Sequence, residues 1–189
     1  MTLKTDEELY DEFLKGNKKS FEEIVLRHRI NMIHFILNYT KDISTAEDIV
    51  QDSFVYLLVN KDYYSNKYKL KTYLYMIAKC RAINFLKKNK QESEFIEDYL
   101  SLSNQDTITS KKIIDDIDNK EKLKKIILAM NNLKLHYREV IYLSDFQGMT
   151  TQEIGQIINK NKIQVSSLLY NARKSLRRLL KKDGIIYGE

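Results

Sequence analysis

At 189 residues the chain is long enough for one ordinary domain or two small ones, and zero Pro with five Gly favours long helices over a turn-rich β fold. One cysteine, Cys80, excludes an internal disulfide framework and fits a reducing compartment. The net charge of +6 is uneven: residues 1–60 carry −4, 61–90 carry +8, 91–121 carry −6 and 122–189 carry +8. Two basic blocks around an acidic stretch point to two separate contacts with a polyanion.

In chain order, Thr5-x-x-Glu8, Ser20-x-x-Glu23, Ser44-x-x-Glu47 and Thr150-x-x-Glu153 fit the capping box, which marks a helix start. After the first two boxes the apolar residues Ile24, Leu26, Ile30, Ile33, Phe35, Ile36 and Leu37 recur at helical spacing. Ile49, Val50, Phe54, Leu57 and Leu58 do so after the third. Another helix is expected from about Lys69 to Lys90. Residues 91–117 lose this periodicity and gain Ser, Thr, Asn and Asp, as a linker does. Helical pattern resumes at Asp118–Asn132 and at His136–Phe146, where Gly148 suits a helix C-terminus. No period-2 strand pattern is present. The expected fold is all-α: two small helical domains, residues 1–90 and 118–189, joined by an acidic linker at 91–117.

"TTQEIGQIINKNKIQVSSLLYNARKSLRRLLKK", residues 150–182, reads as a helix-turn-helix. Gly155 lets the helices cross, Asn159 tolerates a left-handed turn, and Ile154, Ile158, Val165 and Leu168 supply the contact. In the second helix Val165, Leu168, Ala172, Leu176 and Leu179 form the expected buried stripe. Gln164, Ser167, Asn171, Lys174 and Arg178 lie opposite, with Lys162 at the entry. Such a stripe can present short polar groups to base edges in a major groove. Arg173, Lys174, Arg177 and Arg178 suit phosphates, which give affinity without sequence information. The plain alternative is a helical hairpin with a basic end.

The other basic block begins "KDYYSNKYKLKTYLY". Tyr63, Tyr64 and Tyr68 are candidates to stack on unpaired bases, with Lys61, Lys67, Lys69 and Lys71 following the backbone. Tyr73 and Tyr75 are candidates too, although core packing suits Tyr73 better. Arg81, Asn84 and Lys88 continue as one polar strip. A stacking platform beside a helix-turn-helix suggests a protein that both locates and opens DNA.

"AEDIVQDSFVYLL", "LKTYLYMIAKCRAINFLKK" and "REVIYLSDFQGMTTQEIGQIINKNKIQVSSLLYNARKSLRRL" together resemble the extracytoplasmic-function (ECF) RNA polymerase sigma factors of the sigma-70 family. The resemblance covers nearly the whole chain outside the linker. It implies an N-terminal domain that captures and melts the −10 promoter element and a C-terminal domain that reads the −35 element. It also implies that Asp48, Gln51 and Asp52 meet the clamp of the largest polymerase subunit, with the flap as a further contact. Independently, those three share one polar helix face opposite Ile49, Val50 and Phe54. Tyr73 stands where the family commonly has Trp, and Lys134 where a Pro often stands. Ser166 and Leu168 stand where basic residues are common.

The implied protein is a dissociable initiation subunit that holds the −10 non-template strand open around Tyr63–Lys71 and turns a base out of the stack. A linker of ~27 residues reaches ~90 Å when extended, more than two duplex turns, so both promoter elements can be engaged at once. Its acidity suits the path that nascent RNA will take. The implied partners are core polymerase, promoter DNA and an anti-sigma factor, membrane-tethered or soluble. Other readings are a homodimeric helix-turn-helix repressor acting without polymerase, and a helical adaptor that binds no DNA. An enzyme is not expected. His28, His34 and His136 lack metal or triad spacing, Cys80 has no activating neighbour in sequence, and no glycine loop cradles phosphate. No cofactor or metal is expected. With no signal peptide at the N-terminus and no apolar run near 18 residues, a soluble cytoplasmic protein is expected.

Overall fold

The computed structural model describes residues 4–65, 67–94 and 126–182. The described residues contain helices and no strand. The chain forms two compact units.

The first unit is built from α1 (Asp6–Leu14), α2 (Lys18–Thr40), α3 (Ile43–Val59) and α4 (Leu70–Glu94), with a 3-10 turn at Lys61–Tyr63. The capping box at Thr5 forms: Thr5 N donates to Glu8 Oε2 at 2.7 Å, and Glu8 N donates to Thr5 Oγ1 at 3.2 Å. Three acidic residues in that first turn face the positive end of the helix dipole. The next two expected boxes do not form. Helix α2 starts ahead of Ser20, with Asn17 at the N-cap, and Ser20 is buried with its Oγ donating to Glu12 Oε2 at 2.6 Å. Helix α3 starts ahead of Ser44, because Asp42 takes the cap by accepting from Thr45 N at 2.7 Å. Between them Lys41 turns the chain at φ 58°, in the left-handed region.

Helix α2 is the hub, packed on by α1, α3 and α4. Its buried face runs Ile24, His28, Met32, Phe35, Ile36 and Tyr39. Leu26 and Ile30, expected beside these, are instead 76% and 57% exposed. At 3.6 residues per turn they fall on the far side of the cylinder. Ala46, Ile49, Val50, Ser53, Phe54 and Leu57 form the buried stripe of α3, whereas Leu58 is exposed. On α4 the small Ala78 and Ala82 are fully buried beside Leu74 and Tyr75, and the Tyr75 ring lies 5.1 Å from that of Phe35. The start of α4 is tied to α1, since Leu70 N donates to Glu7 Oε1 at 2.9 Å.

In the second unit residues 126–131 are helical. The linker expected at 91–117 lies outside the described residues except for its first four, which continue α4. Helix α5 (Leu135–Ile141) runs into one π turn, Tyr142–Phe146, where Gln147 N donates to Tyr142 O at 3.1 Å. Gly148, at φ +63°, reverses the chain as expected. Helices α6 (Thr151–Ile158) and α7 (Lys162–Lys182) follow. The Thr150 box forms, with Thr150 N donating to Glu153 Oε2 at 2.7 Å and Glu153 N to Thr150 Oγ1 at 3.3 Å. Asn159 takes φ 54°, as the turn requires. Ile154 is fully buried but Ile158 only half so. On α7 the buried residues are Val165, Leu169, Ala172 and Leu180, while Leu168, Leu176 and Leu179 are half-buried. The apolar face is rotated by part of a turn from the expected stripe, toward Leu169 and Leu180, and packs on α5.

One buried polar contact closes α1 onto α2. Asp6 Oδ2 lies 2.6 Å from His28 Nε2, and Asp6 Oδ1 accepts from Arg27 Nη1 at 3.1 Å. Burial pushes the Asp6 carboxyl up, but the bonds and charge from His28 and Arg27 outweigh it and hold the group below its ordinary 3.8. A depressed carboxyl contributes stability that is fully present above pH 3.8 and drains away as the pH falls below it. Asp6→Asn is therefore expected to cost about 1–3 kcal/mol at neutral pH and to flatten the acid limb of the stability curve. Thermal melts between neutral and strongly acidic pH test both effects.

Candidate functional site

Three surfaces gather the residues singled out from the sequence. On α3, Asp48, Gln51 and Asp52 are all exposed. Asp52 Oδ2 lies 3.5 Å from Arg81 Nη1 on α4, and the Arg81 guanidinium sits 5.5 Å from the centre of the Tyr56 ring. The acidic face and the polar strip of α4 thus meet at one ion pair. It is solvent-exposed and worth under ~1 kcal/mol. Gln51 also borders something the polar pattern did not show: an apolar groove lined by Phe21, Val25, Arg29, Val50, Phe54, Val55 and Leu58. The sequence did carry a signal for it, because apolar residues occupy too wide an arc of α2 and α3 for a single buried stripe. Leu26, Ile30, Val55 and Val59 are the exposed excess.

The tyrosine cluster divides. Tyr63, in the 3-10 turn, is 71% exposed and available for stacking. Tyr64 is built into the unit. Its ring stands edge-on to Tyr10 at 5.1 Å and tilted on Tyr73 at 5.4 Å, and its hydroxyl donates to Tyr68 O at 3.0 Å. Burial, helped by the nearby acids Glu7 and Asp11, pushes the Tyr64 hydroxyl up to about 12. Tyr73 and Tyr68 are half-buried, and Tyr75 is fully buried. Lys67 Nζ lies 5.4 Å from the Tyr68 ring centre, and Lys61 Nζ lies 4.6 Å from that of Phe13. Lys69 is exposed and Lys71 half-buried. Further along α4, Asn84 and Lys88 are exposed and Arg81 half-buried.

On α7 the stripe Gln164, Ser167, Asn171, Lys174 and Arg178 is exposed throughout, as are Lys162 and Arg177. Arg173 is not a loose cation. Its Nε donates to Asp145 Oδ2 at 3.2 Å, its Nη2 donates to Asp145 Oδ1, and Nη2 also reaches Ser144 Oγ at 3.1 Å. At 100° per residue Arg173 falls about 80° from Val165, at the rim of the buried face, whereas Lys174 falls about 180° away. The rim position brings Arg173 against the π turn. Gln164 is also engaged, in a reciprocal pair with Asn161 that opens α7: Gln164 N donates to Asn161 Oδ1 at 2.9 Å, and Asn161 N donates to Gln164 Oε1 at 3.0 Å. That start signal uses amides in place of the hydroxyl and carboxylate of the usual box.

The histidines are occupied separately: His28 with Asp6, and His136 in ring contact with Tyr137 at 4.4 Å, while burial pushes His34 down. Among the described residues no group of three His, Cys, Asp or Glu is placed to hold a metal, and no helix is long and apolar enough to cross a membrane.

Fold and surfaces define a two-module, all-α nucleic-acid-binding protein whose C-terminal module carries a helix-turn-helix. The sequence model of sigma-70 region 2 matches residues 24–92, and that of sigma-70, region 4 matches residues 123–176. The chain belongs to the sigma-70 family of RNA polymerase sigma factors, among its ECF members. Its relatives include the ECF RNA polymerase sigma factor SigM of Bacillus subtilis, 25% identical over 85% of this chain and 94% of that protein. RNA polymerase sigma factor SigV of the same organism is 29% identical over 84% and 89%. The fold is shared with the sigma factor RpoE of Bartonella quintana, solved in complex with the anti-sigma factor NepR. Its TM-score is 0.69 at 22% identity, over 86% of this chain and 98% of that one. CnrH, solved with the cytosolic domain of CnrY, gives a TM-score of 0.64 at 19% identity over 93% and 96%. These matches span both modules in order and lend no support to the homodimeric repressor.

The packing separates two neighbouring tyrosines. Tyr64→Ala is expected to destabilise the first unit by about 2–4 kcal/mol, and Tyr63→Ala by less than ~0.5 kcal/mol. Urea unfolding of the two variants measures the difference.

Proposed function

We propose how this alternative sigma factor, a DNA-binding initiation factor that directs core RNA polymerase to specific promoters, divides its work among its surfaces. Residues 1–90 bind core polymerase and capture the −10 element, residues 118–189 read the −35 element, and 91–117 join them. The α3 face at Asp48, Gln51 and Asp52, with the apolar groove beside it, receives the clamp of the largest subunit. Carboxylates and an apolar strip side by side suit a partner helix that is basic and amphipathic. The flap of the polymerase is a second contact. Tyr63 stacks on a −10 base turned out of the non-template strand, while Lys61, Lys67, Lys69, Lys71, Arg81, Asn84 and Lys88 follow the backbone.

Helix α7 enters the −35 major groove. The observation that carries this is its uninterrupted exposed stripe, Gln164, Ser167, Asn171, Lys174 and Arg178, on a helix whose other face is anchored in the unit. Lys162, Lys174, Arg177 and Arg178 supply phosphate contacts, while Arg173 is engaged by Asp145. The protein contributes no bond-making step of its own, works in the cytoplasm, and is held inactive by an anti-sigma factor that clasps both modules.

Three measurements test the scheme. Tyr63→Ala should lower promoter opening, read by permanganate reactivity of unpaired thymines, with core association unchanged; full opening would remove Tyr63 from strand capture. Replacing Gln51 and Asp52 by Ala should weaken retention of core polymerase in a pull-down, and undiminished retention would move the docking face elsewhere. Arg178→Ala should lower the slope of log affinity against log salt by about one, and an unchanged slope would take Arg178 off the phosphates.

A further inference from the structure

Gln164 is expected to face base edges, and a glutamine free to turn can pair with adenine by accepting from N6 and donating to N7. The carboxamide of Gln164 is already engaged, which biases how it can turn. Its Oε1 accepts from Asn161 N at 3.0 Å, while its own backbone N donates to Asn161 Oδ1 at 2.9 Å. The flipped amide would set an N–H against an N–H, so chemistry fixes the oxygen inward. With Oε1 engaged at the helix start, the group of this side chain left without a partner among the described residues is Nε2, which carries two donors and no acceptor.

We infer that Gln164 is a specificity-determining residue that reads its −35 base pair as a donor alone, and so selects guanine and disfavours cytosine on the strand it faces. This rests on the proposal that α7 reads the −35 element. Guanine offers two acceptors, N7 and O6, to the major groove, and thymine offers one, O4. Adenine sets its N6 donor beside N7, and cytosine presents the N4 donor that a donor-only side chain must oppose. The same bond that starts the helix thereby narrows what the helix can read.

Gln164→Glu separates the two roles. A glutamate keeps an oxygen for Asn161 N, as in the ordinary capping box, but turns an acceptor to the groove in place of the amide. Cytosine N4 then becomes the matched group. Gln164→Ala removes both.

The test uses the full chain assembled with core polymerase and a promoter library randomised across the −35 element, with bound templates sequenced. The expected result is one position where the natural protein favours guanine over cytosine by roughly tenfold, a contact of about 1.4 kcal/mol. Gln164→Glu should reverse that preference and Gln164→Ala should flatten it, with the Gln164→Glu protein melting as the natural one does. Enrichment at the −35 element that both variants leave unchanged overturns the inference while α7 remains the reader. So does a position where the natural protein favours adenine and Gln164→Ala loses it. Absence of any −35 enrichment with the natural protein overturns the reading of α7, and this inference with it.

Discussion

The first unit depends on one helix face. Ile24, Met32, Phe35 and Ile36 of α2 have no solvent exposure, and α1, α3 and α4 all lean on that helix. Each such side chain contributes about 1.5–3 kcal/mol when taken from water, so together they outweigh any surface ion pair in the unit. Because α2 is saturated on one side, the remaining faces of α3 and α4 are held outward at fixed angles. The acidic face at Asp52, the Tyr63 turn and the polar strip at Arg81 are positioned by burial elsewhere.

Several polar side chains on the candidate surfaces also serve the fold. Arg81 pairs with Asp52, Lys61 sits over Phe13, Arg173 is gripped by Asp145, and Gln164 helps to start α7. These contacts are mostly exposed, so each adds little to stability. Their effect is on orientation: a side chain already held loses less freedom when it meets a partner. A surface that must dock and release gains from such partial ordering.

Much of this layout could be read from residue order, and the departures have physical causes. The Thr5 and Thr150 boxes are legible because all their partners lie within four residues. Ser20 carries the same pattern but is captured by Glu12 of the preceding helix, and Ser44 yields to Asp42, a better cap two residues earlier. The bond from Leu70 N to Glu7 spans 63 positions and has no local signature. Leu26 and Ile30 look like core because they are apolar; only the helical angle sets them outside. Tyr63 and Tyr64 are adjacent and alike, and their separation into a free ring and a packed one depends on where α1 places Tyr10. The two helical modules were legible through motif order, whereas the groove beside Gln51 needed two helices to be set side by side.

The π turn at Tyr142–Phe146 has a bearing on how this chain can change over generations. A π turn accommodates one residue more than an α turn would. Losing a single codon there would let the helix close regularly and swing Asp145 by about 100° around its axis, out of reach of Arg173. A change in its length would part Asp145 from Arg173 even if every side chain were kept, so its residue count is expected to stay constant.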